Sequence, residues 1–175
     1  MPDLRAHDAA APMIPASSRV HRRRHLAYMD PASTLTLREG LEEYYGTIDD
    51  LVTDDNAAPD VAALFRFHDT THVLFGCDTS MRGEALTDTW SVFGTDVTLK
   101  AYRRYFELQE TQDIFASMTF WEKVQALAIS TVLIPRALWR ALRMTKKWSF
   151  RDHEAYLDRP LCEVRAEFGI RVIES

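Results

Sequence analysis

The sequence predicts an all-α fold, a single helical domain of about six helices. Three observations predict it. No apolar–polar alternation of strand period persists anywhere. Apolar residues recur at three- and four-residue steps, and helix start and stop signals punctuate the chain at short intervals. At 175 residues the chain fits one domain. A chain of this length buries roughly 70% of its unfolded surface, so it needs no metal or disulfide to fold. Residues 1–18 are expected to be a disordered Pro/Ala tail, and residues 19–175 the helical domain.

The elements follow in order. "STLTLREGLEEYYG" places Thr36 and Glu39 in capping-box spacing and Gly46 as a stop. "TDDNAAPD" reads as a loop, with Pro59 suited to the first turn of the next helix. "VAALFRFHDTTHVLFG" runs helically to Gly76, with Leu64, His68, Thr71 and Phe75 on one side. "CDTS" is a turn in which Asp78 or Thr79 is expected to cap a helix from about Met81 to Phe93, closed by Gly94. "TDVTLKAYRRYFELQE" starts another. "FWEKVQALAISTVLIPRALWRALRM" reads as a long helix kinked at Pro135. "PLCEVRAEFGI" is a short amphipathic helix that Pro160 opens and Gly169 ends.

Composition narrows the function. Hydrophobic residues make up 46% and charged residues 27%, an ordinary soluble balance. A formal charge of −5 argues against nucleic acid as the partner of the whole chain. Cys77 and Cys162 stand far apart in no metal or redox pattern, which predicts free thiols in a reducing compartment. The first residues lack an apolar signal core, and the uncharged run from Val124 to Pro135 is too short to span a bilayer. The expected location is cytoplasmic, with peripheral membrane contact left open. No Gly-rich dinucleotide or phosphate-loop fingerprint is present, so NAD, FAD and ATP are not indicated.

The chemistry concentrates in "FHDTTHVLFGCDTSMRGEALTDTW". On a helix His68 and His72 lie one turn apart on one face, with Asp69 at the edge of the same fan. A turn and a second, antiparallel helix would return Glu84 opposite them, and Gly83 would let the second backbone come close. The set offers two nitrogens and up to two carboxylate oxygens. It suits zinc, or iron(II) and manganese if a position stays open; magnesium also remains open. A hydrogen-bonded polar cluster with no ion is the alternative. Asp88, four residues after Glu84, is placed to orient a ligand histidine or to lie at the surface.

"HDTTH", then the eleven residues "VLFGCDTSMRG", then Glu84, resembles the metal-binding motif of the coenzyme Q (ubiquinone) biosynthesis family usually called coenzyme Q protein four. The flanking "HVLFG" and "TSMRGE" resemble it too, and "PLCEVRAEFGI" does so more faintly. The resemblance implies a helical protein with His68, Asp69, His72 and Glu84 as metal ligands. It implies action on the ring carboxylate carbon of a prenylated hydroxybenzoate precursor, by oxidative decarboxylation, and so an aromatic, prenylated small-molecule partner. A related activity on a polyketide-like substrate stays open.

Other features are weaker. Arg136, Arg140 and Arg143, with Lys146 and Lys147, give a basic face flanked by Trp139 and Trp148, suited to an anionic membrane surface or simply to solvent. Arg66 and Arg82 are candidates for a substrate carboxylate. "AALFRFHDTTH" also resembles a helix of HD-type phosphohydrolases, which would need His25 and Asp113 as further ligands. A non-catalytic prenyl-lipid-binding scaffold with a structural metal is a third reading, and a homodimer is compatible with all of them.

Overall fold

The computed structural model describes residues 25–48, 55, 58–106 and 119–173. The tail expected at 1–18, the Arg-rich run before His25, and Asp113 lie outside the described residues. The protein is mostly helical, and the described residues contain no strand, only two isolated bridges, Thr36 with Pro160 and Thr95 with Trp148.

A 3-10 turn, Ala27–Met29, precedes α1, Leu37–Tyr45. Thr36 and Glu39 form the expected capping box, each side chain satisfying the other's backbone N–H, and Gly46 ends the helix. α2, Pro59–Phe75, begins with proline in its first turn, where no N–H is needed. It ends at Gly76 in the left-handed conformation (φ +68°). A Cβ there would also lie 2.6 Å from Val172 Cγ1, so glycine is required by conformation and by close packing. Thr70 and Thr71 are fully buried in α2, and each returns its hydroxyl to its own helix, at Arg66 O and Phe67 O.

α3 spans Met81–Gly94. Its cap is Ser80, whose hydroxyl accepts from Gly83 N, and not Asp78 or Thr79. Asp78 instead accepts from the Ser80 N–H and hydroxyl, shaping the turn one step earlier. α4 is Leu99–Phe106. α5, Phe120–Ala141, runs through Pro135 as one helix. A second 3-10 turn, Glu154–Tyr156, leads to α6, Leu161–Phe168, which follows Pro160 and stops at Gly169 as expected.

α2 is the central element. α1 and α3 both pack on it, α5 packs along α3, and α6 closes against the C-terminal end of α2. Phe75 stacks on Trp90 (ring centroids 4.6 Å, 21°), pinning α2 to α3. The main core gathers Tyr28, Leu41, Val73, Leu74, Trp90, Leu133, Trp148 and Phe168; a smaller one joins Phe65, Tyr102 and Phe150.

One buried cation ties these layers. Arg165 on α6 is 2% exposed and donates to four backbone carbonyls: Leu74 (2.8 Å), Val73 (2.9 Å), Tyr28 (2.6 Å) and Asp30 (2.6 Å). Burial pushes its guanidinium down to about 10, still far above neutrality. Removing it would strand carbonyls from two elements in the core. We therefore expect Arg165→Met to lower stability by roughly 3–5 kcal/mol, read as a lower urea midpoint at unchanged slope.

Candidate metal centre

Helix geometry sets the first half of the site. His68 and His72, four residues apart on α2, place their rings 4.8 Å apart, centroid to centroid, and both are buried. The turn and α3 then return Glu84 to the same place: His72 Nε2 lies 3.3 Å from Glu84 Oε2. One ligand atom from each of His68, His72 and Glu84 lies within 4.8 Å of the other two. Gly83 matters here for a reason different from the expected one. A Cβ on it would meet the Asp78 carbonyl of the turn at 1.8 Å, so glycine lets the turn fold back on α3.

Asp69 is not part of that group of three. Its Oδ1 accepts from the Tyr44 hydroxyl of α1 at 3.1 Å, and the Tyr44 ring stacks on His72 (5.2 Å, 30°). Asp88 borders the group from the other side. Its Oδ1 is 3.5 Å from His68 Nε2 and accepts at 2.6 Å from Tyr102, a fully buried residue of α4. Arg66 is exposed and Arg82 half-buried.

The protonation of His72 is set by its surroundings. Nδ1 lies 3.3 Å from the Cys77 carbonyl, which can only accept, and 3.1 Å from Thr87 Oγ1. The Thr87 hydroxyl already donates to Gly83 O (2.9 Å), so its oxygen is available to accept. Nδ1 therefore carries the proton, and in the neutral ring the Nε2 lone pair points at the cluster. That is the arrangement of a histidine ligand whose far nitrogen is held by a carbonyl. Nε2 is buried with Glu84 Oε2 3.3 Å away, an ion-pair partner when the ring is protonated and a neighbouring ligand atom when it is not. Donor atoms on a tetrahedral ion with bonds of 2.0–2.1 Å stand roughly 3.3–3.4 Å apart. The His72–Glu84 separation matches that edge, and the three residues, within 4.8 Å of one another, could hold a metal ion.

Charge agrees. The groups acting most strongly on Asp69 are His68, His72, Tyr44 and Glu84, with no lysine or arginine among them. Burial pushes the Asp69 carboxyl up to about 6, against the pull of the two histidines and Tyr44. For His72, burial favours the neutral ring, but the Glu84 carboxylate, with Asp69, outweighs it and holds the imidazolium above its ordinary value. Burial also pushes the neighbouring Cys77 thiol up to about 12, so it stays protonated and is no ligand.

Sequence reasoning missed Tyr44, Thr87, Tyr102 and the Cys77 carbonyl. Thr87 had a signal, since it falls one turn after Glu84 on α3. The tyrosines had none, because their partners are 25 and 14 residues away. Comparison with family models, curated proteins and solved structures found no significant match.

Two predictions follow from this chemistry. Asp88→Asn keeps a hydrogen-bonding side chain but removes a charge beside His68, and should weaken zinc binding about 10–100-fold in chelator competition, with the fold intact by circular dichroism. The second concerns pH. Asp69 and His72 both bind protons more tightly in the fold than in the unfolded chain. Their stabilisation of the metal-free protein is full below their ordinary values, 3.8 and 6.5, and is lost as pH rises through their raised ones. For Asp69 that loss, complete above about 6, is on the order of 3 kcal/mol. A bound ion needs the His72 ring deprotonated, so the rise in Tm on adding zinc should be small near about pH 5 and grow toward about pH 7.

Proposed function

We propose that this protein is a metal-dependent enzyme of quinone or aromatic metabolism, similar to the ubiquinone-biosynthesis family whose motif it resembles. It acts on the ring carbon that bears the carboxylate of a prenylated or other aromatic precursor. The carboxyl leaves as carbon dioxide and an oxygen takes its place, with dioxygen or another two-electron oxidant required. The observation that carries this reading is the convergence of His68, His72 and Glu84, with the His72 Nε2 lone pair presented to the cluster. A divalent ion held there would bind and polarise the substrate carboxylate.

The chain's own residues have definable tasks in this scheme. His68, His72 and Glu84 would hold the ion. The Cys77 carbonyl and Thr87 fix the His72 ring and its tautomer. Asp69, raised to about 6 and hydrogen-bonded to Tyr44, can hold or give up a proton near neutral pH at the edge of the cluster. Tyr44, Glu84, Asp69 and Asp88 supply hydroxyl and carboxylate groups only, so an anionic substrate group would rest on the ion. The phosphohydrolase reading gains no support. His25 is exposed, and Asp113 lies outside the described residues.

The test is metal content by mass spectrometry on wild type, His72→Ala and Glu84→Ala, followed by turnover of a prenylated hydroxybenzoate by loaded protein. We expect about one ion per chain in wild type and loss in both variants. Labelled carbon dioxide release from a carboxyl-labelled substrate should require the ion. Metal binding without turnover, together with co-purifying prenyl lipid, would move the protein to the scaffold reading. A folded wild type that takes up no zinc, iron(II) or manganese would end the metal reading.

A further inference from the structure

α5 has two faces with different fates. Leu133, Ala137 and Ala141 are buried, and this side packs along α3. The opposite side carries an apolar stripe that nothing among the described residues covers: Trp121 is 72% exposed, Val132 69%, Trp139 50% and Leu142 77%. Exposed Val124, Ala128 and Arg136 fill the three- and four-residue steps between them, so the stripe runs the whole helix. The helix has 22 residues, roughly 33 Å of length. Contiguous apolar surface of this extent on a water-soluble domain marks an interaction site.

The charges around the stripe identify what fits it. From Val124 to Arg151 the chain has six cations and no acid, although its formal net charge is −5. Not all six face outward. Arg140 turns inward and donates to the carbonyls of Arg171 and Val172, and Lys146 pairs with Glu167 at 2.5 Å. Trp148, expected to flank the basic face, is fully buried. The outward set is therefore Arg136, Arg143, Lys147 and, beyond the helix, Arg151, all exposed, with Trp139. The Arg143 guanidinium lies 3.8 Å over the Trp139 ring, holding a cation and an indole together at one level. An indole with an arginine beside it suits the boundary between lipid headgroups and acyl chains.

We propose that the outer face of α5 docks on an anionic lipid surface, the helix lying in the plane of the interface. No helix among the described residues is long and apolar enough to cross a membrane, so α5 lies on the surface without spanning it. A second copy of the chain is a poorer occupant. From Val124 to Arg151 the same face of another copy brings cations and no acid to pair with Arg136 and Arg143. The anionic bilayer satisfies both the stripe and its cations. The proposal stands apart from the metal reading and survives its failure.

The test is co-sedimentation of the full chain with phosphatidylcholine vesicles, with and without phosphatidylglycerol, at low and high salt. We expect binding only with phosphatidylglycerol, weakened by salt, with a blue shift in tryptophan emission. Arg136→Ala and Arg143→Ala should each weaken it about fivefold. Trp139→Ser with Leu142→Ser should weaken it about tenfold or more. All of these side chains are at the surface, so circular dichroism and Tm should stay at wild-type values. Absence of binding, binding indifferent to phosphatidylglycerol, or binding unchanged in the variants would overturn the proposal. So would self-association by ultracentrifugation that the Trp139/Leu142 variant abolishes while vesicles leave the protein unbound. That outcome would give the face to a second copy.

Discussion

The guanidinium of Arg165 holds the molecule together at the point where the site begins. Two of its four acceptors, Val73 O and Leu74 O, are among the last carbonyls of α2, where the regular helical donors run out, although Val73 O also accepts from the Gly76 N–H. They also stand at the negative end of that helix, where a cation is favoured. The other two, Tyr28 O and Asp30 O, belong to the segment before α1. The charge is tolerated in the core because these acceptors replace the water it loses. From there the dependence passes by single contacts. Tyr28, held through its carbonyl, donates its hydroxyl to Cys77 O at 2.9 Å. The same Cys77 carbonyl meets His72 Nδ1. The tautomer of a candidate ligand thus rests, three contacts away, on an arginine of the last helix.

How much of this is legible in the sequence depends on separation along the chain. The Thr36–Glu39 capping box, Pro59 at the start of α2, and Gly76 and Gly169 at helix ends are local, and the sequence reading of each matches the structure. The His68–His72 pairing is a matter of helical pitch and was equally plain. Glu84 could be anticipated because one short turn joins its helix to theirs. The turn itself was misread by one step: Asp, Thr and Ser are all good caps, and the backbone chose Ser80 while Asp78 shaped the approach.

Long-range arrangement was not legible. Periodicity puts Arg140 beside Arg136 and Arg143, yet Arg140 reaches carbonyls 31 and 32 residues away. Trp148 follows the basic run in sequence but fills the core against Tyr156 and Phe168. Asp69 sits between two histidines on the chain, yet its Oδ1 takes a proton donor from α1. In each case the competing partner comes from an element whose position no local pattern encodes.

The site is asymmetric with respect to water. The imidazoles are sealed, with side-chain exposures of 3% for His68 and 0% for His72, whereas Glu84 and Asp88 are 36% and 28% exposed. A cation arriving from solvent therefore meets carboxylates before it meets nitrogen. Carboxylates act at a distance and release water readily to a passing ion, so they would govern how fast ions are captured, and that rate would fall with ionic strength. The histidines lie deeper and bind through directed lone pairs, so they would govern how long an ion stays and which metals are retained. Entry and retention would thereby fall to different residues of one small cluster, and substitution at either layer would alter one rate more than the other.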